Sequence, residues 1–103
     1  MHQTESLDSQ RLNSLLDNSS KRVGLLAGWG GFPVEVAQTL RDQGKEVYVA
    51  AFKGHADSRL EHLASDMRWF GVLKIGAHLR YFQQAGVQQV VMAGKLFKNR
   101  ILY

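Results

Sequence analysis

Four short stretches of this chain set reactive or hydrogen-bonding side chains beside glycine. The first, "GWGGFP", carries Gly28, Trp29, Gly30, Gly31 and Phe32 up to Pro33; the second, "KGHAD", carries Lys53, Gly54, His55 and Asp57. The third opens at Gly71 and ends at Lys74, and the fourth is Gly94 followed by Lys95. Glycine lets a ligand approach the backbone closely, and the N–H groups at a helix start can receive a phosphate without any side chain. Lysine adds a compact positive charge. Lys53, His55 and Asp57 could further place a cation and two hydrogen-bonding groups on a phosphate or on a magnesium-bound water. The chemistry these types share is the binding of an anionic group. A tight strand-to-helix turn with no ligand, and a solvated polar loop, are the plainer readings of the same residues.

Several sharper readings fall away on spacing. Gly28 and Gly30 match the first two glycines of the dinucleotide fingerprint, but Pro33 stands where the third belongs. The second apolar run ends in Ala50, Ala51, Phe52 and Lys53 with no acid to receive ribose hydroxyls, which argues against NAD. "AGKLFK" lacks the upstream glycine and the hydroxyl residue of a Walker loop. His2, His55, His62 and His78 show no metal-ligand spacing, and there is no cysteine. Lys95, Lys98 and Arg100 with Phe97 and Tyr103 form only a loose basic-aromatic group, so no nucleic-acid partner is expected. Trp29, on a glycine-flanked loop, suits stacking on a base or an interface, whereas Trp69 on a short strand suits packing.

The elements that must position these loops alternate. "RVGLLA", Arg22 to Ala27, is an apolar run suited to a strand buried on both faces. Pro33, Val36, Ala37 and Leu40 follow at helical spacing until Gly44. "EVYVAAF", Glu46 to Phe52, reads as a second strand, and Asp57 or Ser58 is the expected cap of a short helix through Leu60 and Leu63. Met67 to Val72 is the predicted third strand. Ile75, Leu79 and Phe82 stripe a helix that Gly86 ends, and Val87 to Gly94 is the fourth strand. This alternation predicts an α/β, Rossmann-like fold: a parallel four-stranded sheet in the order 3-2-1-4, with helices on both faces. The ligand crevice of such a sheet lies beyond the carboxyl ends of its strands, where all four glycine loops, the last running from Gly94 to Lys98, would converge.

At 103 residues, 45% hydrophobic and 21% charged, the chain has the composition of one folded domain. Residues 1–20 are polar, and a single Arg11 against Glu5, Asp8 and Asp17 leaves them at net −2. Of the chain's net +4, residues 21–103 therefore carry +6, which favours anionic partners. The first twenty residues are expected to form a flexible extension and residues 21–103 the domain. No apolar run approaches a membrane span, so the expected location is cytoplasmic, with at most peripheral membrane association.

In combination these motifs resemble a known family. Gly28-x-Gly30 with Phe32-Pro33, Lys53-Gly54 before Asp57, Gly71 with Leu73 and Lys74, and "VVMAGK" from Val90 to Lys95 are similar to the N-terminal domain of the LpxI-type UDP-2,3-diacylglucosamine pyrophosphatases. The resemblance runs from about Val23 to Leu96. It implies two-domain, Mg2+-dependent hydrolases that release UMP and an acylated sugar phosphate in lipid A synthesis. It also implies that the catalytic acids lie in a C-terminal domain, so that this chain holds no catalytic residue, no metal site and no cofactor of its own. Its residues Gly28, Trp29, Gly30, Gly31, Phe32, Lys53, Gly54, Asp57, Gly71, Gly94 and Lys95 would then contribute to binding the UDP-sugar lipid. Phe97, Ile101, Leu102 and Tyr103 fit a domain interface or, in competition, a homodimer contact. A stand-alone nucleotide- or anion-binding module and a structural dimerisation domain are the alternative functions.

Overall fold

The computed structural model describes residues 19–95. Four strands and three helices alternate along the chain: β1 (Arg22–Ala27), α1 (Phe32–Asp42), β2 (Glu46–Phe52), α2 (Leu60–Leu63), β3 (Asp66–Phe70), α3 (Ile75–Ala85) and β4 (Gln89–Ala93). The strands form one all-parallel sheet in the order β3-β2-β1-β4, as the alternation requires. Leu25 lies opposite Val49 on one side and Val91 on the other, so the centre of the sheet is β-branched and apolar.

Period-two alternation assigns the faces. Val23, Leu25 and Ala27 of β1 and Val47, Val49 and Ala51 of β2 pack with Phe32, Val36, Ala37 and Leu40 of α1 and with Leu60 of α2. The opposite face is smaller: Ala50, with Leu26, Tyr48 and Phe70, meets Tyr81 and Phe82 of α3. Phe82 lies so close over Gly24 that a Cβ there would sit 2.8 Å from its ring, which is why β1 carries a glycine at its centre. Leu25, buried completely, is worth about 2–3 kcal/mol of transfer free energy, and it anchors the larger core.

The boundaries differ from the sequence expectation in instructive places. The third strand runs Asp66–Phe70, not Met67 to Val72, because the chain turns after Gly71 and the Lys74 N–H donates to the Gly71 carbonyl at 3.0 Å. The fourth begins at Gln89, since the Val87 N–H closes α3 on Phe82 and the Gln88 N–H donates to Arg22. On α3, Leu79 is not part of the sheet-facing stripe; it is 57% exposed, and His78, Tyr81 and Phe82 face inward. The reason is the angle set by Phe82 over Gly24, which turns Leu79 toward the open β4 edge. There it lines a groove with Phe82, Val87 and Val90.

Ser20, placed in the extension by composition, is buried, and its carbonyl accepts a hydrogen bond from Lys45 Nζ. The rest of the predicted extension, residues 1–18, lies outside the described residues, as do Leu96, Phe97, Lys98, Arg100, Ile101, Leu102 and Tyr103. Among the described residues no helix is long and apolar enough to cross a membrane.

Candidate anion site at the carboxyl edge

Because every strand is parallel, β1, β2, β3 and β4 all deliver their following loops to one edge. The predicted site residues therefore share that edge, but they fall into two groups. Gly28 to Phe32 and Gly94 with Lys95 form the first, at the β1–β4 switch. Lys53 to Asp57 and Gly71 to Lys74 form the second, where the Lys53 N–H donates to the Phe70 carbonyl at 2.8 Å.

In the first group the backbone is stitched. A short antiparallel bridge pairs Trp29 with Lys95. The Trp29 N–H donates to the Lys95 carbonyl at 2.6 Å, the Lys95 N–H returns to Trp29 at 3.0 Å, and the Gly28 N–H donates to Ala93 at 2.9 Å. Gly28 is glycine because a Cβ there would meet the Lys95 carbonyl oxygen at 2.4 Å. Gly94 is doubly constrained: its φ is +92°, and a Cβ would lie 2.9 Å from both Gly28 and Pro33. These two glycines hold the loops together. The Lys95 ammonium lies over the Trp29 ring, 5.6 Å from its centroid, which places a cation and a half-buried aromatic side by side.

Gly30 and Gly31 are different. Among the described residues nothing lies within 4 Å of where a Cβ on either would sit, and Gly30 adopts φ +109°. The backbone N–H groups of Gly30, Gly31 and Phe32 make no hydrogen bond among the described residues. They precede α1, an eleven-residue helix with no side-chain cap, so its positive dipole end points at this open turn. Phe32 itself is buried in the core and anchors the turn from below. Three donors that make no bond among the described residues, at a helix start, next to a lysine over a tryptophan, can bind an anionic group carrying an aromatic ring.

In the second group Gly54 turns at φ +78°, and Lys53 is exposed without an ion-pair partner among the described residues. Asp57 is engaged: Arg59 donates from Nε at 3.0 and 3.1 Å and from Nη2 at 2.7 Å, and the Arg59 backbone N–H adds a bond at 2.9 Å. The Arg59 guanidinium beside it, together with the backbone donor, holds the Asp57 carboxyl below the usual carboxylate range. Asp57 thus starts the turn into α2 from two residues before Arg59, the backbone position that precedes the helix. The donors present do not fit a magnesium ion. The carboxylate is already occupied in a bidentate pair, and no group of three His, Cys, Asp or Glu side chains clusters among the described residues.

Two residues that spacing did not single out matter here: Arg59 and His78. His78 is 2% exposed, with its ring set edge-on to Phe52 at 4.9 Å and to Phe70 at 4.8 Å. Neither ring nitrogen makes a hydrogen bond of normal geometry. Burial pushes its pKa below the ordinary imidazole value, with the Gly71 backbone opposing weakly. The signal was available in the pattern, because position 78 precedes Phe82 by four and Tyr81 by three, which puts it on the sheet-facing stripe.

No curated protein and no solved structure matches the chain. A family model does: that of the LpxI N-terminal domain, over residues 22–103, a span that contains all four glycine loops and every described strand. With the parallel sheet, the stitched β1–β4 switch and the open α1 turn, that match identifies the chain as a member of the LpxI N-terminal domain family.

Proposed function

We propose that this chain is the substrate-binding N-terminal domain of a UDP-2,3-diacylglucosamine pyrophosphatase of lipid A biosynthesis, working in the cytoplasm with a C-terminal catalytic domain. The observation that carries the reading is the open turn Gly30–Gly31–Phe32. Its three N–H groups, unbonded among the described residues, sit at the start of α1, where a nucleotide phosphate would find donors and a favourable dipole. Trp29, half-buried on the adjoining residue, offers a face for the uracil ring, and Lys95 and Lys53 add positive charge along the same edge.

Hydrolysis is assigned to the partner domain. Pyrophosphate cleavage needs carboxylates to hold a metal and activate water, and Asp57 is tied to Arg59. The division of labour is binding here and chemistry there. Titrating UMP into the 15N-labelled chain tests the reading: the amides of Gly30, Gly31 and Phe32 should shift together and saturably. Shifts scattered over the surface, or none at this turn, would leave the glycine loop a mere turn and favour a structural domain.

A further inference from the structure

The helices that cover the sheet leave one strip of it bare. α3 seats Tyr81 and Phe82 against Ala50 of β2 and Leu26 of β1. A helix is about 10 Å across and strands lie about 4.8 Å apart, so one helix covers about two strands, and the edge strand β4 is beyond its reach. Val90 and Met92 stand beside Gly24 and Leu26 on that same face, 49% and 61% exposed. With Leu79, on the flank of α3, they make one apolar strip; Leu73 is the only other exposed large hydrophobic among the described residues. At its amino end the strip sinks into a groove between α3 and β4, lined by Leu79, Phe82, Val87, Gln88 and Val90. No described strand pairs with the outer side of β4, and folded proteins cover such edges with a helix or loop.

The entry point of the chain selects the cover. Gln88, on the wall of the groove, accepts hydrogen bonds from the Lys21 and Arg22 N–H groups at 2.7 and 3.0 Å. Residues 1–18 therefore join the fold beside the groove, whereas the other end of the chain leaves through Lys95, past the opposite end of β4. Within that segment Leu12, Leu15 and Leu16 are spaced to line one side of a helix. Leu16 is five residues from Lys21, a tether that extends to roughly 17 Å and so reaches along the groove. Charge agrees with this seat: residues 1–20 net −2, and neither α3 nor β4 carries an acidic side chain.

We propose that residues 12–16 dock in the groove between α3 and β4 through Leu12, Leu15 and Leu16, so that the chain covers its own bare edge strand. The segment lies before residue 22, outside the span shared with the family, and the groove lies at the amino end of β4, away from the glycine turn. The inference thus goes beyond the nucleotide reading and does not depend on it. So short a tether holds the leucines at an effective concentration on the order of millimolar, well above that of a second copy in dilute solution.

The chain has no cysteine, so Ser14→Cys gives a single attachment point for a nitroxide, on the side of the segment away from the three leucines. In the 15N-labelled full chain the amides of Leu79, Gln83, Val90 and Met92 should lose most of their intensity relative to the reduced label, and that of Leu60, on the α1 face, should keep its own. Adding Leu12→Asp and Leu15→Asp should restore the lost signals. Val90→Asp should do the same from the side of the groove, with circular dichroism as the folding control, and Leu79→Asp takes its place should that variant unfold. Broadening that is absent, that spreads evenly over both faces or that survives the leucine substitutions overturns the inference. So does equal broadening in a mixture in which the nitroxide and the 15N sit on different chains, because a second copy then fills the groove.

Discussion

Replacing Gly28 by alanine should unstitch the β1–β4 switch, while the same change at Gly31, three residues on, should cost almost nothing. A Cβ at Gly28 falls 2.4 Å from the Lys95 carbonyl oxygen and 2.8 Å from its carbon, both backbone atoms that cannot step aside singly. To relieve the clash the Lys95 strand must move, which breaks the 2.6 Å and 3.0 Å bonds between Trp29 and Lys95 and strains the 2.9 Å bond from Gly28 to Ala93. At roughly 1 kcal/mol net per backbone hydrogen bond, the expected loss is about 2–3 kcal/mol. For a domain of this size that lowers the melting temperature by about 10–20 °C. Gly31 has φ −86° and no described residue within 4 Å of its Cβ position, so Gly31→Ala should fall within about 0.5 kcal/mol of the parent. Urea denaturation followed by tryptophan fluorescence measures both, with unchanged slope as the sign that only stability moved. Equal midpoints for Gly28→Ala and the parent would refute the bridge.

Further expectations follow from the same geometry. His78 is buried neutral, so its folded pKa lies below its unfolded one, and the unfolded chain binds the extra proton; stability is full above about pH 6.5 and falls as pH drops below it, by up to ~1.4 kcal/mol per pH unit. Melting curves between pH 7.5 and 5 should show that slope in the parent and a flatter one in His78→Phe. Lys53→Ala should weaken UMP binding severalfold in low salt and hardly at all in high salt, because an exposed point charge is screened; calorimetry at two ionic strengths reads it. The chain by itself should show no turnover of UDP-2,3-diacylglucosamine with magnesium, and robust hydrolysis lost in Asp57→Ala would contradict the assignment of chemistry to another domain.

Much of the fold was legible because parallel sheets announce themselves. "RVGLLA" and "EVYVAAF" are strands over the residues their composition marks, and Pro33 and Gly44 bracket α1 as their backbone limits demand. What escaped depends on pairing between distant segments. Gly28 reads as a ligand-facing glycine until Lys95 is seen against it, 67 residues along the chain. Asp57 reads as a candidate cap or as a hydrogen-bonding group for a phosphate or a magnesium-bound water until the Arg59 fork closes on it. Leu79 reads as core by periodicity alone, and only the seat of Phe82 on Gly24 turns that stripe toward His78. Composition and spacing report what a residue can do, and partners decide which of those things it does.

Calorimetric titration of UMP into the parent and into Gly30→Val, with circular dichroism as the folding control, tests the central claim most directly. Gly30 sits at φ +109° in a turn whose three N–H donors make no bond among the described residues, so a β-branched side chain there both penalises the backbone by more than about 1 kcal/mol and blocks the approach of a phosphate. The expected result is a folded variant with no detectable UMP binding beside a parent that binds. A folded Gly30→Val that binds UMP as tightly as the parent would contradict the assignment of the glycine turn as the nucleotide site.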